Sequence, residues 1–92
     1  MPIQITRAAA RDLDHLGAAA REQTVRDIQT LEDEPIGRPP RIKRVKGFAF
    51  PLYRLRSGDY RIIYRIDAEL VTVMRVVDRK DPERALRRLG LR

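Results

Sequence analysis

Cysteine and tryptophan are absent from this chain of 92 residues, and histidine occurs once. Without thiols there is no disulfide and no thiolate nucleophile. The usual structural zinc sites lose their main ligand, and His15 alone makes a transition-metal site a poor expectation. Apolar runs are short; none approaches the ~20 residues that a membrane-spanning helix needs. The first residues lack the apolar stretch of a secretory signal. These absences lead us to expect one domain over residues 1–92, with a modest core, in the cytoplasm, and with no cofactor.

What is abundant is positive charge. Lys and Arg number 20 against 13 Asp and Glu, a net charge of +7. The first 34 residues are on balance acidic, whereas residues 38–65 carry nine basic side chains against Asp59 alone. Residues 75–92 are basic again, with seven cations and three carboxylates. A basic side opposite a mildly acidic one suits a polyanionic partner: nucleic acid, ribosome or an acidic protein. No helical segment joins a broad apolar face to a lysine-rich one, so a membrane surface is not expected.

Along the chain, Pro2–Thr6 alternates as a short strand, and Thr6 can cap a helix starting near Ala8 and ending at Gly17. A second helix is expected over 18–33 with Val25, Ile28 and Leu31 as its stripe. Pro35, Gly37, Pro39 and Pro40 mark a loop. Strand periodicity then takes over at 41–45, at 51–65 and at 70–77. Asp81-Pro82-Glu83 resembles a helix start, with a terminal helix to about Leu89. The expected architecture is α+β, in the order β-α-α-β-β-β-α, with a mainly antiparallel sheet and a helical hairpin on one face.

The segment from Pro51 to Arg65 is the most informative. With Ser57-Gly58 as a two-residue turn, Arg54 pairs with Arg61, and Arg54, Arg56 and Arg61 share a face. Tyr53, Leu55, Tyr60 and Ile62 then share the other, core face. Like charges opposite each other destabilise a strand pair, so an anion between them is the better reason for that pair. For the next turn, Asp67-Ala68-Glu69, a three-residue loop would put Arg75 beside Arg61. A two-residue loop would turn Arg75 into the core, which is costly for an unpaired charge. Phe48 and Phe50 are expected in the core, and His15 on the surface.

Lys43-Arg44-Val45-Lys46-Gly47, then Tyr53-Arg54-Leu55-Arg56-Ser57-Gly58-Asp59-Tyr60-Arg61-Ile62-Ile63-Tyr64, resembles the central signature of RelE-type toxins of bacterial toxin–antitoxin pairs. Arg75-Val76-Val77-Asp78-Arg79-Lys80-Asp81 resembles the family's C-terminal motif, Arg-Val-x-His-Arg-Arg/Lys-Asp-x-Tyr-Arg. Ala10–Leu16 is similar to the family's first helix. The resemblance implies a ribosome-dependent endoribonuclease that cuts messenger RNA by attack of a 2′-hydroxyl on the adjacent phosphate. It also implies an acidic antitoxin as partner, in a toxin–antitoxin hetero-oligomer.

Carried onto these residues, it makes Arg61 the clamp on the scissile phosphate and Arg54 its assistant. Lys80 becomes the group at the leaving oxygen, with Arg79 beside it. Lys43, Arg44, Lys46, Arg56 and Arg75 would hold the message or ribosomal RNA, adding salt-dependent affinity. Asp78, where many relatives have histidine, is either an acid/base group or a turn residue. The family's tyrosine is missing: Glu83 is there, with Leu86 nearest, and Leu52 replaces a basic residue. Two alternatives stay open, a ParE-type inhibitor of DNA gyrase and a weak homologue that acts mainly by binding its antitoxin.

Overall fold

The computed structural model describes residues 1–80 and Arg87. The chain runs β1 (Ile3–Ile5), α1 (Arg7–Asp14), α2 (Ala18–Gln29), a 3-10 turn (Thr30–Glu32), β2 (Ile42–Arg44), β3 (Leu52–Ser57), β4 (Tyr60–Asp67) and β5 (Leu70–Asp78). The short strand expected at 41–45 is present as Ile42–Arg44, although the order β-α-α-β-β-β-α left it uncounted. The second half therefore holds four strands, one more than the expected order allowed. The expected terminal helix, with Glu83 and Leu86, lies outside the described residues.

The five strands form one sheet in the order β1-β5-β4-β3-β2. β1 lies parallel to β5, and every other pair is antiparallel. Thr6 caps α1 as its sequence position suggested, its hydroxyl accepting from the Ala9 N–H at 3.1 Å. Gly17 starts α2 without a side-chain cap. Both helices lie on one face of the sheet, where Leu13, Ile28 and Leu31 meet Leu55, Ile62 and Tyr64. Val25 does not belong to this stripe: it is exposed, and Thr24 is buried in its place. Spacing of 24, 28 and 31 is the better helical face. A polar residue is tolerated there because Ser57, on β3, turns its hydroxyl toward that of Thr24 at 3.5 Å.

The hairpin register differs from expectation. Ser57 pairs with Tyr60, so Gly58 and Asp59 form the loop, and Arg61 stands opposite Arg56 while Arg54 stands opposite Ile63. Gly58 takes a positive φ of 54°, which a glycine adopts at no steric cost. Ser57 stays in the strand because it is buried against α2; in the loop it would leave Thr24 without its partner. A two-residue slip keeps every side chain on its face, so the arginines remain together.

The second turn is also shorter than preferred. Asp67 pairs with Leu70, leaving Ala68 and Glu69 at φ 48° and 62°, the left-handed pair of a tight hairpin turn. A simple continuation from this turn would bring Arg75 opposite the buried Ile62. A bulge between Ile63 and Tyr64's partners inserts one residue, so Val76 meets Ile62 and Arg75 moves opposite Ile63. Arg75 then finds a counter-ion: its Nε and Nη2 donate to Asp12 of α1 at 2.7 and 3.0 Å. The Val76 N–H donates to the same carboxylate at 2.9 Å.

The sheet's other face carries no helix among the described residues. Part of it is a small second cluster, Leu52, Ile63 and Val77, covered by Val45, Phe48, Phe50 and Met74. The Phe residues are therefore structural, as expected, but on the face away from the helices. The remainder of this face is cationic. No described helix is long and apolar enough to cross a membrane.

Candidate anion-binding cleft

Strand alternation sends Arg54, Arg56 and Arg61 to the face away from the helices, and β2 adds Lys43 directly beside Arg54. With Pro39 and Pro40 of the preceding loop, these four cations line a cleft of about 270 Å³. No carboxylate, imidazole or phenol is among its described lining residues. In the sequence the prolines read only as chain breakers. The one sequence signal for them was their position at the start of the basic stretch.

Arg61 is the best anchored of the four. Its Nη1 donates to the carbonyls of Tyr60 at 2.7 Å and Gly58 at 3.1 Å. Its Nε and Nη2 have no acceptor among the described residues. Burial lowers its pKa from the ordinary arginine value, and the charges of Arg56, Arg54 and Arg79 lower it further, while Asp59 opposes them. An arginine remains charged regardless. The neighbouring guanidinium charges that contribute to the shift are ones a bound anion would offset.

The end of β5 reaches the same rim. Tyr60 pairs with Asp78, and the Arg79 N–H donates to the Asp59 carbonyl at 2.9 Å. The Arg79 guanidinium sits 3.6 Å from the Asp59 carboxylate, an exposed pair that exchanges partners cheaply. Asp78 accepts the Lys80 N–H at 2.9 Å, which is the geometry of a turn residue. Lys80 follows it and is exposed.

Other sequence candidates stand apart from the cleft lining. Arg75 is engaged by Asp12. Arg44 points its guanidinium over the Tyr53 ring, 5.9 Å from the centroid. Lys46 is exposed in the loop after β2. His15 is exposed on the helical side, its Nδ1 2.7 Å from the Arg11 carbonyl. Tyr64 is fully buried with its hydroxyl donating to Pro35, and burial, followed by the neighbouring Tyr53, pushes its pKa upward. Its role is in the core. What the cleft can do chemically is hold a phosphate-like anion between convergent cations and stabilise added negative charge on it.

Comparison with known proteins places this arrangement. The family described as the ParE toxin of the type II toxin–antitoxin system parDE matches residues 3–82. Among solved structures, the RelBE2 toxin–antitoxin complex from Mycobacterium tuberculosis is 30% identical, with a TM-score of 0.70, covering 85% of this chain and 96% of that one. The archaeal RelE–RelB complex from Pyrococcus horikoshii is 25% identical, with a TM-score of 0.75, covering 87% and 96%. The isolated RelE toxin of E. coli shares the fold at 18% identity, with a TM-score of 0.72 and coverage of 97% and 95%. No curated protein sequence matches significantly. Family match, element order and sheet topology agree: the chain belongs to the ParE toxin family of type II toxin–antitoxin systems, within the RelE/ParE superfamily, and has a RelE-like fold.

Proposed function

We propose that this toxin is a ribosome-dependent endoribonuclease that cleaves messenger RNA by attack of a ribose 2′-hydroxyl on the adjacent phosphate. One observation carries the reading: Lys43, Arg54, Arg56 and Arg61 converge on a single cleft whose described lining holds no carboxylate. Such a cluster costs folding energy that only a bound anion returns.

In this reading Arg61 and Arg54 grip the non-bridging oxygens and stabilise the charge that develops as the 2′-oxygen bonds to phosphorus. Arg79 leaves Asp59 to join them. The 2′-hydroxyl proton passes to solvent water, and Lys80 protonates the departing 5′-oxygen. Lys43, Arg56 and Lys46 hold the flanking backbone, Arg44 stays over Tyr53 on the other face, and Arg75 acts through α1 rather than on RNA. Asp78 shapes the turn that presents Lys80. The acidic partner is an antitoxin segment laid over the cationic face, as the antitoxin complexes of the two relatives suggest. The ribosomal target puts the toxin in the cytoplasm.

Expression of the wild-type chain should arrest translation and yield message breaks, seen by primer extension, only where ribosomes are present. Arg61→Ala, which keeps the fold because the side chain is only half buried, should reduce cleavage by about 100- to 1000-fold. Unchanged growth arrest by a folded Arg61→Ala protein would sink the proposal. The family match itself favours a second reading, inhibition of DNA gyrase. Loss of supercoiling by purified gyrase, with messages intact, would establish that one instead.

A further inference from the structure

The cleft has two unlike walls. One is cationic, formed by Lys43, Arg54, Arg56 and Arg61; the other is Pro39 and Pro40, both solvent-exposed. Two adjacent exposed pyrrolidine rings carry no charge and no N–H, so they contribute nothing to holding a phosphate. The turn that carries them is braced at its ends. The Ile42 N–H donates to the Arg38 carbonyl at 3.1 Å, closing the turn around them, and the Arg56 N–H donates to the Arg41 carbonyl at 2.8 Å. Gly37 packs so closely that a Cβ there would lie 2.9 Å from Cδ1 of Ile42. An apolar surface lining the same cleft as four cations matches the two halves of a nucleotide: a flat ring system beside a phosphate.

We propose that Pro39 and Pro40 form the platform on which the base next to the gripped phosphate packs, making them specificity-determining residues. Contact with a flat ring rewards area, so the preference runs to purines over pyrimidines. This inference rests on the RNA reading above and deepens it.

The test measures binding, by fluorescence anisotropy, of short labelled 2′-O-methyl strands, in which the attacking hydroxyl is blocked. Oligo(A), oligo(U) and an abasic sugar–phosphate strand of equal length are compared at one salt concentration. Oligo(A) should bind at least about fivefold tighter than the abasic strand, with oligo(U) between them. The Pro39→Ala/Pro40→Ala protein, its fold checked by thermal melting, should lose that preference while holding the abasic strand as the wild type does. Equal wild-type binding of oligo(A) and the abasic strand, or tightest binding of oligo(U), overturns the platform and leaves the phosphate clamp standing. A double variant that weakens on both strands alike also overturns it, since the prolines would then only shape the loop. Failure of all three strands to bind wild-type protein overturns the platform, while the ribosome-dependent cleavage is judged separately by primer extension.

Discussion

Arg56 and Arg61 face each other across the β3–β4 pair, and no described residue of the cleft lining offers them a counter-ion. A like-charge pair at directly opposed positions costs a few tenths of a kcal/mol up to about 1 kcal/mol. Replacing the more exposed partner, Arg56→Thr, should therefore stabilise the protein by about 0.5 kcal/mol in urea unfolding. The same change should weaken RNA binding uniformly across sequences and lower the salt slope by about one. Stabilisation without a binding loss would show that Arg56 is a solvated surface residue. The pH dependence follows from the sign of the Arg61 shift. Its folded pKa lies below the unfolded value, so its charged form costs stability at low and neutral pH, and that cost disappears only as pH rises through the folded pKa. Over roughly pH 5 to 9 this group should contribute no slope to stability or phosphate binding.

Between elements, two small features fix the positions of the cations. The Ala68-Glu69 turn asks two residues with side chains to adopt positive φ. Glu69→Gly should relieve about 1 kcal/mol, read as a higher urea midpoint with an unchanged slope. A fall in the midpoint would mean that Glu69 makes contacts beyond its backbone strain. The second feature is Asp12, which holds both the Arg75 guanidinium and the Val76 N–H at the bulge. The Arg75 pKa is raised, chiefly by its hydrogen bond to Asp12, which outweighs the burial that lowers it. Its stabilisation is therefore complete below the ordinary arginine range and is lost only as pH climbs beyond it. Because both partners keep some solvent contact, Asp12→Ala should cost about 2 kcal/mol rather than the larger loss of a dry ion pair. An effect under about 0.5 kcal/mol would show that the bulge holds its register unaided.

For the whole molecule, charge is divided by the sheet. The helical side carries exposed carboxylates such as Asp14 and Glu22, while the opposite face carries the arginine cleft. With extents of 34 × 29 × 26 Å, the two sides are separated by more than the ~8 Å over which physiological salt screens charge. An acidic antitoxin segment should thus be steered to one face. Its association rate should fall at least roughly tenfold between about 50 and 500 mM salt, measured by stopped flow. A rate independent of salt would count against charge-driven docking there.

Family resemblance, the α+β class and the face on which Arg54, Arg56 and Arg61 gather are legible in the chain alone. Each of these depends on local periodicity or on motif spacing, and a strand's alternation survives a register slip of two residues. Tertiary structure alone decided which arginines oppose each other, because Ser57 had to stay buried against Thr24. It also decided the fate of Arg75: a bulge and the distant Asp12 removed it from the cationic face, and neither is visible in the strand's own pattern. Thr24 displaced Val25 from the core for a similar reason, since helix rotation is set by what the sheet presents. Pro39 and Pro40 became a wall of the cleft only when β2 folded beside β3. A charge's side of a strand is a local property; its partner is set by packing between segments far apart in the chain.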